Sequence, residues 1–221
     1  MTQPLPEDPT LDEMREALGA ELPAHATFDG WSETALANAA RSLGLDPGQA
    51  RLAVPGGRVD MIEAWYAAID RALAKAFPPE RVAALKIRER IEMLVLARLD
   101  IVRPHKAAAR SALAILAQPQ NAVRAAKLGW RAADVMWRLA GDTATDFNHY
   151  TKRLTLAGVY ASTLLVWLDD ESEGEAETRA FLDRRISDVM RFEKLKARLR
   201  PDPERMFSFT RFAGRLRYPP I

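Results

Sequence analysis

Apolar residues recur at spacings of three and four along nearly the whole chain, with charged residues filling the intervening faces. That period predicts helices, and no sustained alternation or tight hairpin turn predicts a strand. Leu11–Leu22 reads as a first helix. Ser32 caps a second over Glu33–Leu43, ended by Gly44, and Asp46 caps a short third with Pro47 at its first position. After the Pro55-Gly56-Gly57 break, Val59, Ile62, Tyr66, Ile69 and Leu73 mark a longer helix that stops at Pro78-Pro79. Further helices are predicted over Val82–Val102, from Pro104 to Ala117, from Pro119 to Leu139 with Gly141 closing it, and over 146–170 and 176–199. Along 146–170, Phe147, Leu154, Ala161, Leu165 and Leu168 share one face and are expected to point inward.

The order is three short helices with a helix-turn-helix layout, then six longer ones. The predicted fold class is therefore all-α and TetR-like. Residues 1–55 form the small amino-terminal unit, 56–200 a larger ligand-binding and dimerisation bundle, and 203–221 a basic amphipathic tail.

Composition narrows the chemistry. The chain has no cysteine, which removes disulfides, zinc–thiolate sites and thiol nucleophiles. Its three histidines, His25, His105 and His149, lie far apart, so neither a metal site nor a cofactor is expected. The net charge of +2 conceals a gradient. Residues 1–80 carry 6 Lys/Arg against 13 Asp/Glu, and residues 191–221 carry 9 against 3. The amino-terminal unit should repel polyanions and the tail attract them. The third helix offers only Gln49 and Arg51 to a nucleic acid, so DNA binding is not expected. The first twenty residues lack the pattern of a signal or transit peptide, and no apolar run is long enough to span a bilayer. The chain reads as cytosolic, and as bacterial if the sequence is a full precursor.

No catalytic residues are assigned. The carboxylates of Asp169–Glu175 have no basic or nucleophilic partner at a readable spacing and read as a solvated connector, and Pro55-Gly56-Gly57 is a turn rather than a phosphate loop. The candidate chemistry lies at 146–153, where Asp146, His149, Tyr150 and Arg153 fall on one helical face at the start of an apolar segment. That stripe suits a polar lipid head or a partner protein, or is a solvated helix start. Trp137 and Tyr160, with Trp65, Tyr66, Trp130, Met136 and Trp167, either line an apolar cavity or fill a core. In the tail, Phe209, Phe212 and Leu216 face one way with Arg211 and Arg215 opposite, the pattern of a helix lying in a membrane interface, docked on the body or paired with a subunit.

Three stretches resemble the Coq-nine family of ubiquinone-biosynthesis accessory proteins. They are Gly30-Trp31-Ser32-Glu33-Thr34-Ala35-Leu36 leading to Ser42-Leu43-Gly44-Leu45, then Met136-Trp137 with Ala140-Gly141-Asp142 and Thr145-Asp146-Phe147-Asn148, Tyr150-Thr151 and Arg153, and finally Phe181-Leu182 with Arg185-Ile186. The resemblance implies a TetR-like fold without DNA binding, a homodimer through the last long helices, and a cavity for isoprenoid quinone intermediates or phospholipid. It also implies docking to a demethoxyubiquinone hydroxylase, with the protein peripheral to the inner membrane. By position, Arg153 corresponds to a residue contacting a phospholipid head, and Asp146 and Tyr150 to a partner-facing patch. His149 stands where the family has a tryptophan and buries less apolar area. A TetR-type regulator with a lipid effector is the alternative reading.

Overall fold

A computed structural model describes residues 5–143 and 147–199. Within them the regular structure is helical throughout, without a strand: α1 (Leu11–Asp29), α2 (Glu33–Ser42), α3 (Pro47–Ala53), α4 (Gly57–Ala76), α5 (Pro79–Val82), α6 (Ile87–Val102), α7 (Lys106–Leu116), α8 (Ala122–Leu139), α9 (Phe147–Asp169) and α10 (Ala176–Leu199). The chain divides into one compact unit over Met1–Asp183 and another over Arg184–Ile221. In the second, the described part is the remainder of α10, where Arg185 pairs with Asp188 at 2.9 Å.

Local chemistry accounts for the helix ends. Thr10 and Glu13 cap α1 reciprocally, Ser32 caps α2 and Asp46 caps α3 with Pro47 behind it. Two expected boundaries move. α1 runs through Pro23 to Asp29, because Leu22, Pro23 and Ala26 are buried and their packing outweighs the one hydrogen bond proline removes. The helix expected over Val82–Val102 is broken before Ile87, and Arg90 holds the break. Its guanidinium donates to the carbonyls of Ala83 (2.7 Å), Leu85 (2.8 Å) and Ala140 (2.8 Å).

The amino-terminal helices are joined to the body through α4. Gly19 meets the Ala64 carbonyl so closely that a Cβ there would sit 2.3 Å from the oxygen. Trp31 stacks on Trp65 with centroids 5.3 Å apart and donates Nε1 to the Ala108 carbonyl at 3.1 Å. Asp60, buried in this junction, accepts from Arg15 (3.1 Å) and Arg124 (2.9 Å). Burial raises the Asp60 carboxyl's pKa, but hydrogen bonds from Arg15 and Gly56 and both guanidinium charges outweigh that and hold it below the ordinary range.

The inward face of α9 differs from the expected one. Leu154 and Leu165 are exposed, at 69% and 58%, as is Ala161, while Arg153, Leu156, Tyr160, Thr163, Trp167 and Leu168 are buried. A helix that is apolar all round carries no periodic instruction about which side to bury. The choice falls to the neighbours that can satisfy polar groups: Arg153 finds carboxylates, and Thr163 bonds back to the Val159 carbonyl at 2.7 Å.

The acidic loop is likewise more than a connector. Asp170 is buried and accepts from the backbone and hydroxyls of Ser172 and Thr178, capping α10. Glu175 accepts from Arg103 and from the Trp167 indole. Its basic partner lies 72 residues away, beyond any sequence spacing.

Candidate lipid- and partner-binding site

Helices α8 and α9 form an antiparallel hairpin that carries most of the singled-out residues. Gly141, with φ of 87°, lets α8 end in a turn closed by Gly141 N to Arg138 O (3.0 Å) and Asp142 N to Trp137 O (2.9 Å). That turn aims Asp142 at α9. Lys152 Nζ meets its Oδ1 at 2.6 Å and Arg153 Nη1 its Oδ2 at 3.1 Å. Arg153 also donates Nε to Asp134 Oδ1 at 2.6 Å and Nη1 to the His149 carbonyl at 3.2 Å. Arg138 pairs with Asp134 from the solvent side. Burial pushes the Asp142 carboxyl up, yet the hydrogen bonds and charges of Lys152 and Arg153 win and hold it below the usual carboxylate range.

Arg153 is therefore not an open cation. Its side chain is 2% exposed, clamped by two carboxylates, and it fastens the hairpin. Two described members of the expected stripe differ in burial, Arg153 being buried and Tyr150 exposed. His149 and Arg153 turn toward α8, and Tyr150 is 60% exposed on the outer flank. Trp130 of α8 supports that flank, with its ring 6.0 Å from Tyr150 and 6.4 Å from His149, and the two α9 rings sit edge to face at 5.2 Å. Asp146 lies outside the described residues, as do Phe209, Arg211, Phe212, Arg215 and Leu216.

Trp137 is half-buried. Its indole donates to the Lys152 carbonyl at 3.0 Å, and Lys152 Nζ sits 5.3 Å from the ring centroid. Tyr160 lies elsewhere, buried among the body helices beside Tyr66 and Arg98. Arg98 is wholly buried and donates Nη1 to Asp70 Oδ1 at 2.5 Å, while Arg131 takes the other Asp70 oxygen at 2.8 Å. Sequence reasoning passed over Arg98 and Asp70. The one trace was a charge on each of two otherwise amphipathic helices, which periodicity cannot distinguish from a solvated position. A cavity of about 400 Å³, lined by Phe77, Met93, Leu96 and Ala97 with Glu89, Glu92, Asp100 and Arg179, shares no residue with either cluster.

Residues 122–193 match the COQ9 family model, a span that contains the whole α8–α9 hairpin. The mitochondrial ubiquinone biosynthesis protein COQ9 of Rattus norvegicus is 34% identical over 167 residues, covering 73% of this chain and 54% of the rat protein. The Homo sapiens protein of the same name is 32% identical over 176 residues, covering 76% and 54%. The chain thus spans about half the length of these relatives. Among solved structures, the crystal structure of a TetR transcriptional regulator from Nitrosomonas europaea superposes with a TM-score of 0.63 at 23% identity, covering 81% of this chain and 99% of that one. At that identity the likeness shows the fold alone. The chain belongs to the COQ9 family, on an all-α, TetR-like fold.

Proposed function

We propose that this protein serves ubiquinone biosynthesis as an accessory protein rather than a catalyst. It binds isoprenoid quinone intermediates or phospholipid and presents them to a membrane-associated demethoxyubiquinone hydroxylase. The kinship with the rat and human biosynthesis proteins supports the pathway. The observation that carries the partner reading is Tyr150, a large aromatic side chain held in water by Trp130 and His149 on the hairpin that the family model matches. An exposed, preordered aromatic is the kind of anchor that dominates binding energy at interfaces.

Transfer of a polyprenyl tail out of a bilayer is opposed by the hydrophobic effect, and apolar protein surface offsets it. Trp137 and Tyr160 are assigned to lipid contact, and Arg153 contributes by holding the hairpin that carries Trp137. Exposed Leu154 and Leu165, with Gly158 and Ala161 between them, form an apolar stripe on α9 that a second copy of the chain would cover, so a homodimer is assigned there. The tail, with Phe209, Phe212, Leu216, Arg211 and Arg215, is assigned to reversible contact with the inner membrane. DNA is not a partner: residues 1–80 are acidic on balance, and Arg51 of α3 is engaged by Glu33 at 2.8 Å.

Protein purified gently from a quinone-producing cell, then extracted with organic solvent, should release an isoprenoid quinone or a phospholipid. Repeated preparations with no bound lipid and no uptake of added quinone would sink the proposal.

A further inference from the structure

The body contains a donor cluster that lacks a full set of acceptors among the described residues. Arg98 is 0% exposed, and its Nε and Nη2 have no hydrogen-bond acceptor. Its one carboxylate, Asp70, also serves Arg131, so two guanidiniums share a single negative charge and the cluster carries net positive charge. Arg153 is the opposite case, with two carboxylates and a carbonyl accepting from it. Buried polar groups left without partners are costly and rare, so donors held this way call for an acceptor.

Aromatic rings bound the cluster. The Arg98 guanidinium carbon lies 5.3 Å from the Tyr160 ring centroid and 6.0 Å from that of Tyr66. Burial, then the Tyr160 phenol, pushes the Tyr66 hydroxyl well above its ordinary pKa, so it remains an O–H donor at physiological pH. Burial opposes the charge of Arg98, but Tyr160 and Asp70 more than offset it and keep the guanidinium protonated. One turn from these groups on the same helices stand buried Leu94, Val95 and Leu164. The site is thus rich in donors, poor in acceptors, walled by aromatic faces and surrounded by apolar side chains.

We infer that Arg98, Tyr66 and Tyr160 together receive the head of the lipid ligand, and that this head is a planar ring bearing oxygen acceptors, as in a quinone. The inference rests on the lipid-binding reading above and specifies its polar anchor. The ring carbonyls accept from Arg98 Nε or Nη2 and from the Tyr66 and Tyr160 hydroxyls without adding charge, and the ring face packs against the tyrosine rings. A phosphate head would supply oxygens as well, but it is tetrahedral and gains nothing from aromatic walls.

The test titrates the full-length protein with three probes: a decyl-tailed ubiquinone, squalene as an isoprenoid without a head, and vesicles of phosphatidylcholine. Quenching of tryptophan fluorescence reports quinone entry, because Trp65 lies 5.8 Å from the Tyr66 ring. The double variant Tyr66→Phe/Tyr160→Phe keeps both rings and removes both hydroxyls, and Arg98→Met removes the guanidinium. The double variant should bind the quinone about tenfold more weakly with squalene uptake unchanged, as expected for lost hydrogen bonds rather than lost apolar surface. Equal quinone affinity in a double variant that melts like wild type would overturn the inference and leave ordered water as the acceptor. Parallel losses for quinone and squalene would reduce the cluster to packing, and displacement of the quinone by phosphatidylcholine vesicles would make phosphate oxygens the ligand. Wild-type protein that takes up no quinone would remove the lipid-binding reading itself, whereas uptake unaffected by these variants would remove the head-group inference alone.

Discussion

Two buried arginines, Arg153 in the α8–α9 hairpin and Arg98 among the body helices, face the same physical problem and meet it differently. Arg153 is 2% exposed and its charge is met by Asp134 and Asp142, while Arg138 and Lys152 at the rim are partly solvated. Arg98 is 0% exposed and shares one carboxylate with Arg131, leaving two of its nitrogens, Nε and Nη2, without an acceptor among the described residues. Removing a guanidinium from water is tolerated only where acceptors replace the lost hydration. The completed set around Arg153 makes a structural clamp, and the incomplete set around Arg98 leaves donors for a ligand. The residue that family resemblance points to is the clamp, and the one it does not point to has capacity to spare.

The contrast breaks most readily at Asp70. Asp70→Ala strips Arg98 of its carboxylate partner and should cost about 3–5 kcal/mol of unfolding free energy, the range for an uncompensated buried charge. Urea denaturation measures it, and Asp70→Ala/Arg98→Met should recover much of the loss. If the single variant is as stable as wild type, Arg98 is solvated and the comparison fails. Arg153→Ala leaves Asp142 and Asp134 with Lys152 and Arg138 still beside them, so the loss should be smaller, about 2 kcal/mol. Lipid retention should fall with it, and a variant that keeps its stability but loses all lipid would return Arg153 to direct contact with the ligand.

Tyr150→Ala separates interface from fold. The side chain is exposed, so stability should change by no more than about 0.5 kcal/mol. Capture of the proposed hydroxylase partner in a pull-down should drop by about 2 kcal/mol in binding free energy, as for a hot-spot aromatic. Unfolding of the variant would make Tyr150 a core residue, and unchanged capture would make the exposed ring incidental. His149→Trp should strengthen capture.

The smallest effect is on pH dependence. The Asp142 carboxyl titrates below its unfolded value of 3.8. Its contribution is therefore fully present above that pH and is lost as pH falls through the lower folded value. Wild type should lose more stability than Asp142→Asn between about pH 4 and the folded pKa. Parallel stability curves for the two proteins would show that the hairpin salt bridges are too solvated to matter.

Much of the hairpin was legible in advance. Gly141, Asp142 and Arg153 stand in the motif that carries the resemblance, and the Gly141 turn explains why that glycine and that acid come together. Tyr150 was legible as a partner-facing candidate, although its exposure was not. Leu154, Ala161 and Leu165 were expected inward and lie outward, because fifteen nearly unbroken apolar positions from Leu154 to Leu168 contain no polar face to set the register.

What the sequence by itself determined was the local grammar. Periodicity, Ser32 and Asp46 as caps, and prolines and glycines as breaks are all read within a few residues, and they specify an all-α chain of this helix order. Tertiary structure alone decided which side of α9 is buried, that Glu175 meets Arg103, that Asp60 ties α1 to α4 and α8, and that Arg98 and Tyr160 share the interior. Those outcomes depend on where a polar group on one helix finds its partner on another. Partners 45 to 72 residues apart leave no mark on the period of either helix.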